Sequence, residues 1–224
     1  MKAMLLAAGR GERLRPLTDR IPKAMVEVRG KPLIAWHLER LAAAGCREAV
    51  INVSHLGDKI VDAIGDGAHF GLRVGYSREP EPLETAGGIA QALPLLGNAP
   101  FLLVNADIYC EVGFRRLLDF QLGTMLAHLV LIPNPPHHPK GDFALNDSRI
   151  GNEGAPRYTY AGVAVMSAEL VKPVKRGAKA PLVPYLRSAA DAQRLSGELF
   201  AGLWQDVGTA QRLAELETQL ASRK

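Results

Sequence analysis

The sequence has 224 residues and a mass of 24.2 kDa, a length that fits one domain with a sizeable core. Its 47% hydrophobic and 22% charged residues are typical of a folded globular protein and exclude a disordered or fibrous chain. The net charge of +4 is concentrated in residues 1–31, which hold eight basic and three acidic residues, and this favours a pocket for a compact polyanion over a nucleic-acid-binding face.

Short apolar runs alternate with segments of helical periodicity, a pattern that predicts an α/β sandwich with a mostly parallel sheet. Apolar or β-branched runs predict strands at 2–7, 48–53, 72–76, 101–105, 127–132, 143–145 and 158–165, and a strand pair or extended segment at 199–205. Apolar residues at helical spacing predict helices at 32–44, 57–64, 85–96, 112–120, 182–193 and 209–220. Prolines bar regular structure from 133–141, which is therefore predicted to be a loop excursion.

The cysteines and the hydropathy pattern bear on the compartment. Cys46 and Cys110 lie 64 positions apart and form no metal-binding or disulfide pattern, as in proteins of reducing compartments. No segment approaches the ~20 apolar residues that a membrane-spanning helix needs. We therefore expect a cytoplasmic protein that does not bind membranes.

A glycine-containing loop follows the first predicted strand and leads into fixed cations. Gly9 and Gly11 allow backbone N–H groups to approach phosphate oxygens without interference from a Cβ atom. The guanidinium of Arg13 can donate hydrogen bonds to two phosphate oxygens, and the ammonium group of Lys23 supplies a compact positive charge. The segment therefore predicts a phosphate site.

Two common phosphate motifs are excluded by position. A Walker A loop needs Ser or Thr after Gly-Lys, but Pro32 follows Lys31. A dinucleotide-binding fingerprint needs a third glycine where this chain has Leu14.

The string LLAAGRGERLRPLT, followed by PKAM and KPL, resembles the opening motif of the sugar-1-phosphate nucleotidylyltransferases. The resemblance continues through EPLETAGG, NAD and DVGT at 81–88, 105–107 and 206–209, and so covers nearly the whole chain. It implies a Rossmann-like three-layer sandwich with a mostly parallel mixed sheet, as one domain over 1–224. A nucleotide-binding part of about 1–110 and a sugar-binding part of about 111–205 are expected within it.

Within the family, the amino-acid sequences of these motifs are most similar to those of uridylyltransferases that act on N-acetylmuramate 1-phosphate. A mannose-1-phosphate guanylyltransferase, or a transferase for another sugar, is the alternative. A more remote alternative is a non-catalytic regulatory protein that binds nucleotide sugars.

The resemblance implies UTP and a sugar 1-phosphate as substrates, Mg²⁺ as cofactor, and a monomer or weak homo-oligomer. The residues implied in nucleotide binding are Ala8, Gly9, Gly11, Glu12, Arg13, Lys23, Thr85 and Gly87, with Arg13 and Lys23 also implied in catalysis. Asp107 and Asp206 are the implied Mg²⁺ ligands, and both follow apolar runs that can end at the carboxyl edge of a sheet. The expected step is in-line attack of the sugar phosphate on the α-phosphorus, without a covalent intermediate.

The sugar side departs from the family pattern in places. The residues implied in sugar-phosphate binding are Asn105, Gly141, Asp142, Glu153 and Tyr160. The family often has Glu-Lys-Pro where Gly154 follows Glu153 here, and Asn where Tyr160 precedes Ala-Gly. Arg29, Lys140 and Arg157 are candidate cations for the lactyl carboxylate of a muramate.

For three further segments the sequence leaves the role open or predicts no catalytic or metal-binding role. Glu79 and Glu81 stand where the family often has Gln, so the choice among uridine, guanosine and thymidine remains open. His137 and His138 are expected on a surface loop rather than in a metal site. The basic segment 172–179 is expected to be a solvated loop.

Overall fold

The structure is a computed structural model that describes residues 1–223. Its strands are β1 (Lys2–Leu6), β2 (Glu27–Val28), β3 (Lys31–Pro32), β4 (Glu48–Val53), β5 (Arg73–Arg78), β6 (Phe101–Asn105), β7 (Ile108–Cys110), β8 (Ala127–Ile132), β9 (Phe143–Asn146), β10 (Arg149–Gly151), β11 (Arg157–Met166), β12 (Leu195–Leu199) and β13 (Trp204–Asp206). Its α-helices are α1 (Leu33–Ala43), α2 (Gly57–Ile64), α3 (Glu84–Leu96), α4 (Phe114–Leu118), α5 (Val183–Asp191) and α6 (Ala210–Ala221). None of the helices in this part of the chain is long and apolar enough to cross a membrane.

Over the described residues, one nine-stranded sheet has the order β5-β4-β1-β6-β11-β8-β12-β10-β9. Strands β5, β4, β1 and β6 run parallel to one another, and β8 and β12 run parallel to each other. Strand β11 runs antiparallel to both β6 and β8. Two small ribbons, β7 with β13 and β2 with β3, lie outside the large sheet.

The three layers follow from alternation along the strands. Ala3 and Leu5 of β1 face a core cluster that includes apolar side chains of α1, α2 and α4. Met4, between them, faces a second cluster that includes α3 and α5. Helices therefore cover both faces of the sheet, and the predicted α/β three-layer sandwich with a mixed sheet is confirmed.

The expectation of a mostly parallel sheet holds for the first half only, because within the nine-stranded sheet of residues 1–223 four strand pairings are parallel and five are antiparallel. Two consecutive strands can run parallel only if a crossover, usually a helix, connects them. Here the hairpin β9–β10, and no helix, connects β8 to β11. Strand β11 therefore returns antiparallel to β8.

Two element predictions also need correction. The helix predicted over 112–120 is shorter and covers only Phe114–Leu118. Strand β12 lies at Leu195–Leu199, before most of the extended segment predicted at 199–205. The sequence of β12, LSGEL, contains a glycine and too few apolar residues to resemble a buried strand. Pairing with β8 along its whole length makes it a strand.

Candidate active site

The loop after β1 folds back on Lys23. Gly11 has φ +65°, and a Cβ atom there would lie 2.9 Å from Thr18 Cγ2 and 3.0 Å from Lys23 Cβ. The Thr18 hydroxyl donates a hydrogen bond of 2.8 Å to the carbonyl oxygen of Gly11. Glycine is therefore required at this position both by the left-handed backbone and by the close approach of Lys23.

Two adjoining cavities open at the carboxyl ends of the parallel strands. We call them the inner cavity, of about 190 Å³, and the outer cavity, of about 870 Å³. The residues that line both are Gly9, Lys23, Pro82, Glu84 and Asp107. Of the other predicted nucleotide residues, Ala8 and Thr85 line the inner cavity, whereas Gly11, Glu12 and Arg13 line the outer one. Ligands of open α/β sheets bind at this edge.

Lys23 and Asp107 form an ion pair where the two cavities meet. Lys23 is nearly buried, at 8% exposed, whereas the side chain of Asp107 is 37% exposed. Asn105, at the end of β6, lines the inner cavity beside them. The structure thus brings together residues that are up to 84 positions apart in the sequence.

Behind this ion pair, His37 holds the strand that follows Asp107. Its Nε2 atom lies 2.7 Å from the carbonyl oxygen of Ile108, and the side chain is buried. Burial lowers the pKa of His37 to about 4 despite this hydrogen bond, so the ring is neutral at pH 7 and donates from Nε2. His37 therefore positions β7 and contributes no charge.

Asp206 lies beside Asp107 because strands β7 and β13 pair. Ile108 is opposite Asp206, and the N–H of Val207 donates to the carbonyl oxygen of Asp107 at 3.0 Å. The Asp206 carboxylate forms an ion pair with Arg212, while its Oδ1 atom is buried without a hydrogen-bond partner among the described residues.

His137 is exposed and lies on a loop, as predicted, and it also contacts Asp206. Its Nε2 atom lies 3.3 Å from Asp206 Oδ1, outside hydrogen-bonding geometry. The neighbouring His138 contacts Asp142 Oδ1 at 3.0 Å. Both histidines therefore tie the proline-rich excursion to the folded body.

A buried polar pair, Asn52 and Glu79, lines the inner cavity and was not predicted as a site. Asn52 accepts a hydrogen bond from the N–H of Ala7 at 2.8 Å and donates to Glu79 Oε1 at 2.7 Å. The other oxygen of Glu79 accepts from the N–H of Leu83 at 2.9 Å, and burial raises the pKa of this carboxyl. A polar Asn near the end of the otherwise apolar strand EAVINV is the signal in the sequence that could have indicated this pair.

The prediction that Gly87 presents backbone groups to a base needs correction. Its N–H already donates to the carbonyl oxygen of Ala180 at 3.1 Å, and a Cβ atom there would collide with the carbonyl oxygen of Ala178. Gly87 therefore allows the segment 178–180 to pack against α3, and it lines neither cavity. Glu84, the first residue of α3, lines both cavities with φ +60°, a strained conformation for a residue other than glycine.

The predicted sugar residues are spread more widely. A Cβ atom at Gly162 would lie 2.6 Å from Asn105 Nδ2, so the glycine makes room for Asn105 in the inner cavity. Asp142 accepts from the N–H of Tyr160 at 2.8 Å, and the Tyr160 hydroxyl is buried without a hydrogen-bond partner in the part of the chain that the structure describes. Burial raises the pKa of that hydroxyl.

Gly141 and Glu153 are not brought to the two cavities. Gly141, at φ +62°, is packed so that a Cβ atom would lie 2.7 Å from Asn134 Oδ1 and 2.9 Å from Tyr158 N. Glu153 is exposed and lines a separate cavity of about 220 Å³ next to β10. The structure therefore groups Asn105, but neither of these two, with the nucleotide residues.

The three candidate cations for the lactyl carboxylate lie away from the two cavities. The Arg157 guanidinium donates to the backbone carbonyl oxygens of Asn152, at 2.5 Å, and Asp142, at 2.8 Å. Lys140 is exposed on the loop excursion, and Arg29 lies in the turn between β2 and β3. None of the three lines either cavity.

Comparisons with known proteins bear on the family and the fold of the chain. Residues 2–143 match the family described as nucleotidyl transferase. An N-acetylmuramate alpha-1-phosphate uridylyltransferase of Neisseria meningitidis serogroup B is 50% identical over 226 residues, 97% of each chain. A glucose-1-phosphate thymidylyltransferase of Streptomyces griseus is 32% identical over 96% of this chain and 65% of its own length.

A solved structure supports the fold independently. It is described as a glucose-1-phosphate thymidylyltransferase from Bacillus anthracis in complex with sucrose. It superposes with a TM-score of 0.86 at 19% identity, covering 100% of this chain and 96% of the other. At that identity, the likeness shows the fold alone.

Proposed function

The chain belongs to the nucleotidyl transferase family, and from this premise we propose that it transfers UMP from UTP to N-acetylmuramate 1-phosphate. The products are UDP-N-acetylmuramate and pyrophosphate, in cell-wall recycling. The observation that carries the choice of substrates is the 50% identity, over 97% of each chain, to a uridylyltransferase named for this sugar phosphate. The two adjoining cavities at the carboxyl edge of the sheet would hold the two substrates.

The triphosphate would occupy the outer cavity. Arg10, Arg13 and Lys23 line it together with the glycine loop. Both their charged side chains and the backbone N–H groups of the loop could therefore bind the phosphate oxygens. Gly9, Gly11 and Glu12 would contact the triphosphate there, with Ala8 in the adjoining inner cavity, and Arg13 and Lys23 would offset charge in the transition state.

The reaction would be a direct displacement. An oxygen of the sugar phosphate attacks the α-phosphorus, and the bond from that phosphorus to the bridging oxygen breaks. The electron pair leaves with pyrophosphate, so no side-chain nucleophile is needed. The task of the chain is to position the two substrates and to offset the charge that develops.

The nucleoside and the sugar would share the inner cavity. Thr85 lies at the start of α3, and the Asn52–Glu79 pair shapes the wall beside it. Asn105 would face the sugar, in space that Gly162 leaves free. Asp142 and Tyr160 would support that side through their mutual hydrogen bond.

Asp107 and Asp206 fit a Mg²⁺ ion. Mg²⁺ takes one or two protein carboxylates together with phosphates and water, and the buried Oδ1 of Asp206 lacks a hydrogen-bond partner within residues 1–223. That region contains no group of three or more His, Cys, Asp or Glu residues suited to a metal, so substrate oxygens would complete the shell. When bound, the ion would offset phosphate charge.

We also propose the cytoplasm as the compartment. Cys46 and Cys110 are both free and buried, as is common in proteins of a reducing compartment. UTP is a cytoplasmic substrate in this proposal, and the chain would act as a monomer or weak homo-oligomer.

The test is pyrophosphate release over a matrix of four nucleoside triphosphates and several sugar 1-phosphates, including N-acetylmuramate, mannose and glucose 1-phosphates. We expect the highest kcat/KM with UTP and N-acetylmuramate 1-phosphate. Asp107→Asn should lower turnover strongly, whereas Asp119→Asn, an exposed residue after α4, should not. A preference for GTP and mannose 1-phosphate would replace the proposed substrates, and no release with any pair would refute the enzyme activity.

A further inference from the structure

The basic segment 172–179 is a loop whose basic residues are exposed, as predicted, and its last residue also approaches the proposed phosphate site. Its four bases are Lys172, Lys175, Arg176 and Lys179. Of these, Lys179 lines the outer cavity, where Arg10, Arg13 and Lys23 also lie, and the other three do not. One residue of the segment therefore faces the place where a polyanion would bind.

The backbone on either side of Lys179 is fixed to helix α3. The N–H of Ala180 donates to the carbonyl oxygen of Leu83 at 3.0 Å. The carbonyl oxygen of Ala180 accepts from the N–H groups of Ala86, at 3.0 Å, and Gly87, at 3.1 Å. The missing side chain of Gly87 leaves the room that the carbonyl oxygen of Ala178 occupies. Lys179 thus extends from an anchored backbone.

The ammonium group of Lys179 has no partner among the residues that the structure describes. Lys23 is neutralised by Asp107, but Lys179 makes no ion pair or hydrogen bond with any residue in 1–223. It is exposed at the wall of the outer cavity. Four carboxylates, those of Glu12, Glu81, Glu84 and Asp107, also line this cavity, so it is not cationic as a whole. What favours a phosphate is that Lys179 has no counter-ion and lines the same cavity as the glycine loop and Arg13, where its ammonium group can donate to a phosphate oxygen.

We propose that Lys179 binds the β- and γ-phosphates of the nucleoside triphosphate and the pyrophosphate that they become. This inference rests on the proposed function and adds a residue to it. When the bond from the α-phosphorus to the bridging oxygen breaks, negative charge develops on the departing pyrophosphate, and Lys179 offsets part of that charge. The segment 178–180 is therefore a wall of the phosphate site.

The test compares Lys179→Ala and Lys179→Gln with Lys175→Ala. Lys175 is an exposed lysine of the same segment that lines neither cavity, so its variant is matched in charge. The binding of inorganic pyrophosphate and of UMP, each with Mg²⁺, is measured by calorimetry on the full chain. The KM values for UTP and for N-acetylmuramate 1-phosphate are measured in parallel.

We expect both Lys179 variants to bind pyrophosphate about 10- to 100-fold more weakly, the effect of losing one charge-assisted hydrogen bond. The KM for UTP should rise, whereas the affinity for UMP and the KM for the sugar phosphate should not change. Lys175→Ala should match the wild type throughout.

Unchanged pyrophosphate binding in the Lys179 variants would overturn the inference, and so would an equal loss in Lys175→Ala or for UMP. A rise confined to the KM of the sugar phosphate would also overturn it, since Lys179 would then serve the other substrate. Wild-type chain that binds pyrophosphate but turns over no substrate pair would refute the proposed function alone. Wild-type chain that does not bind pyrophosphate would overturn both.

Discussion

The parallel half of the sheet, β5-β4-β1-β6, and the half that contains β8 and β12 use their polar side chains differently. In the first half, Asn52, Asn105 and Asp107 lie at or just beyond strand ends and line the cavities. In the second half, His128 on β8 contacts Ser196 on β12 at 2.9 Å, and Glu198 forms an ion pair with Arg116. Polar groups of the first half line the cavities, whereas these groups of the second half contact one another and line neither cavity.

This difference has a topological cause. Parallel strands end at the same edge, so the residues after them converge there. Strand β11 reverses the direction in the second half, and its neighbour hairpin β9–β10 occupies the sheet's far edge. Substitutions in the two halves should therefore separate activity from stability.

The largest effect is expected for Lys23→Ala in the parallel half. Removing this nearly buried cation leaves Asp107 without its partner and takes away a phosphate contact, so kcat/KM should fall about 10²- to 10³-fold. Steady-state kinetics measure the fall, and circular dichroism checks that the fold is retained. Activity within about threefold of the wild type would contradict this role.

Gly162→Ala tests the boundary between the two halves. Its Cβ atom would press on Asn105, and its φ of +74° is unfavourable for alanine, so unfolding free energy should fall by about 1–3 kcal/mol. The KM for the sugar phosphate should rise as Asn105 moves. Gly123→Ala is the control, because Gly123 has φ +59° but open space around it. If both variants show the same KM, the contact with Asn105 is irrelevant to substrate binding.

Glu198 and Glu79 should give opposite pH dependences of stability. Burial alone would raise the pKa of Glu198, but His128, whose Nε2 lies 3.4 Å from this carboxylate, and the ion pair with Arg116 outweigh it and lower this pKa to about 2. The stability from ionised Glu198 is therefore present above the ordinary pKa of 4.5 and lost as the pH falls from there towards 2. Burial raises the pKa of Glu79, so ionising this carboxyl as the pH rises destabilises the fold.

Urea unfolding between pH 2 and 7 measures these two effects. Relative to the wild type, Glu198→Gln should lose about 1–2 kcal/mol as the pH rises from 2 to 4.5, a value reduced for solvent screening. Glu79→Gln should instead gain relative stability as the pH rises above 4.5. Parallel curves for both variants would show that the two carboxyls do not differ in environment.

The smallest effect is expected for Arg15→Ala, the charge-matched counterpart of Lys23→Ala. Arg15 forms an exposed ion pair with Asp19 at 3.1 Å and lines neither cavity. Unfolding free energy should change by less than about 0.5 kcal/mol, and the KM for UTP should stay the same. A marked rise in that KM would mean that the whole basic segment, rather than its cavity-lining members, attracts the nucleotide.

The motif residues in the parallel half could be predicted because they are close in sequence or follow apolar runs. Gly9, Gly11, Arg13 and Lys23 lie within 15 positions, and all of them line the cavities. Glu153 was placed by a short, imperfect motif, and it lies at a different cavity. When only one residue of a motif is present, no neighbouring motif residues help to predict where in the fold its side chain lies.

By itself, the sequence determined the alternating α/β pattern and the glycine loop with its cations, because these depend on local periodicity and on backbone freedom. Only the tertiary structure decided that β11 runs antiparallel, that Asn52 and Glu79 meet in the inner cavity, and that Gly87 admits the segment carrying Lys179. Each of these contacts joins residues far apart in the chain, and close packing, rather than any local preference, selects them.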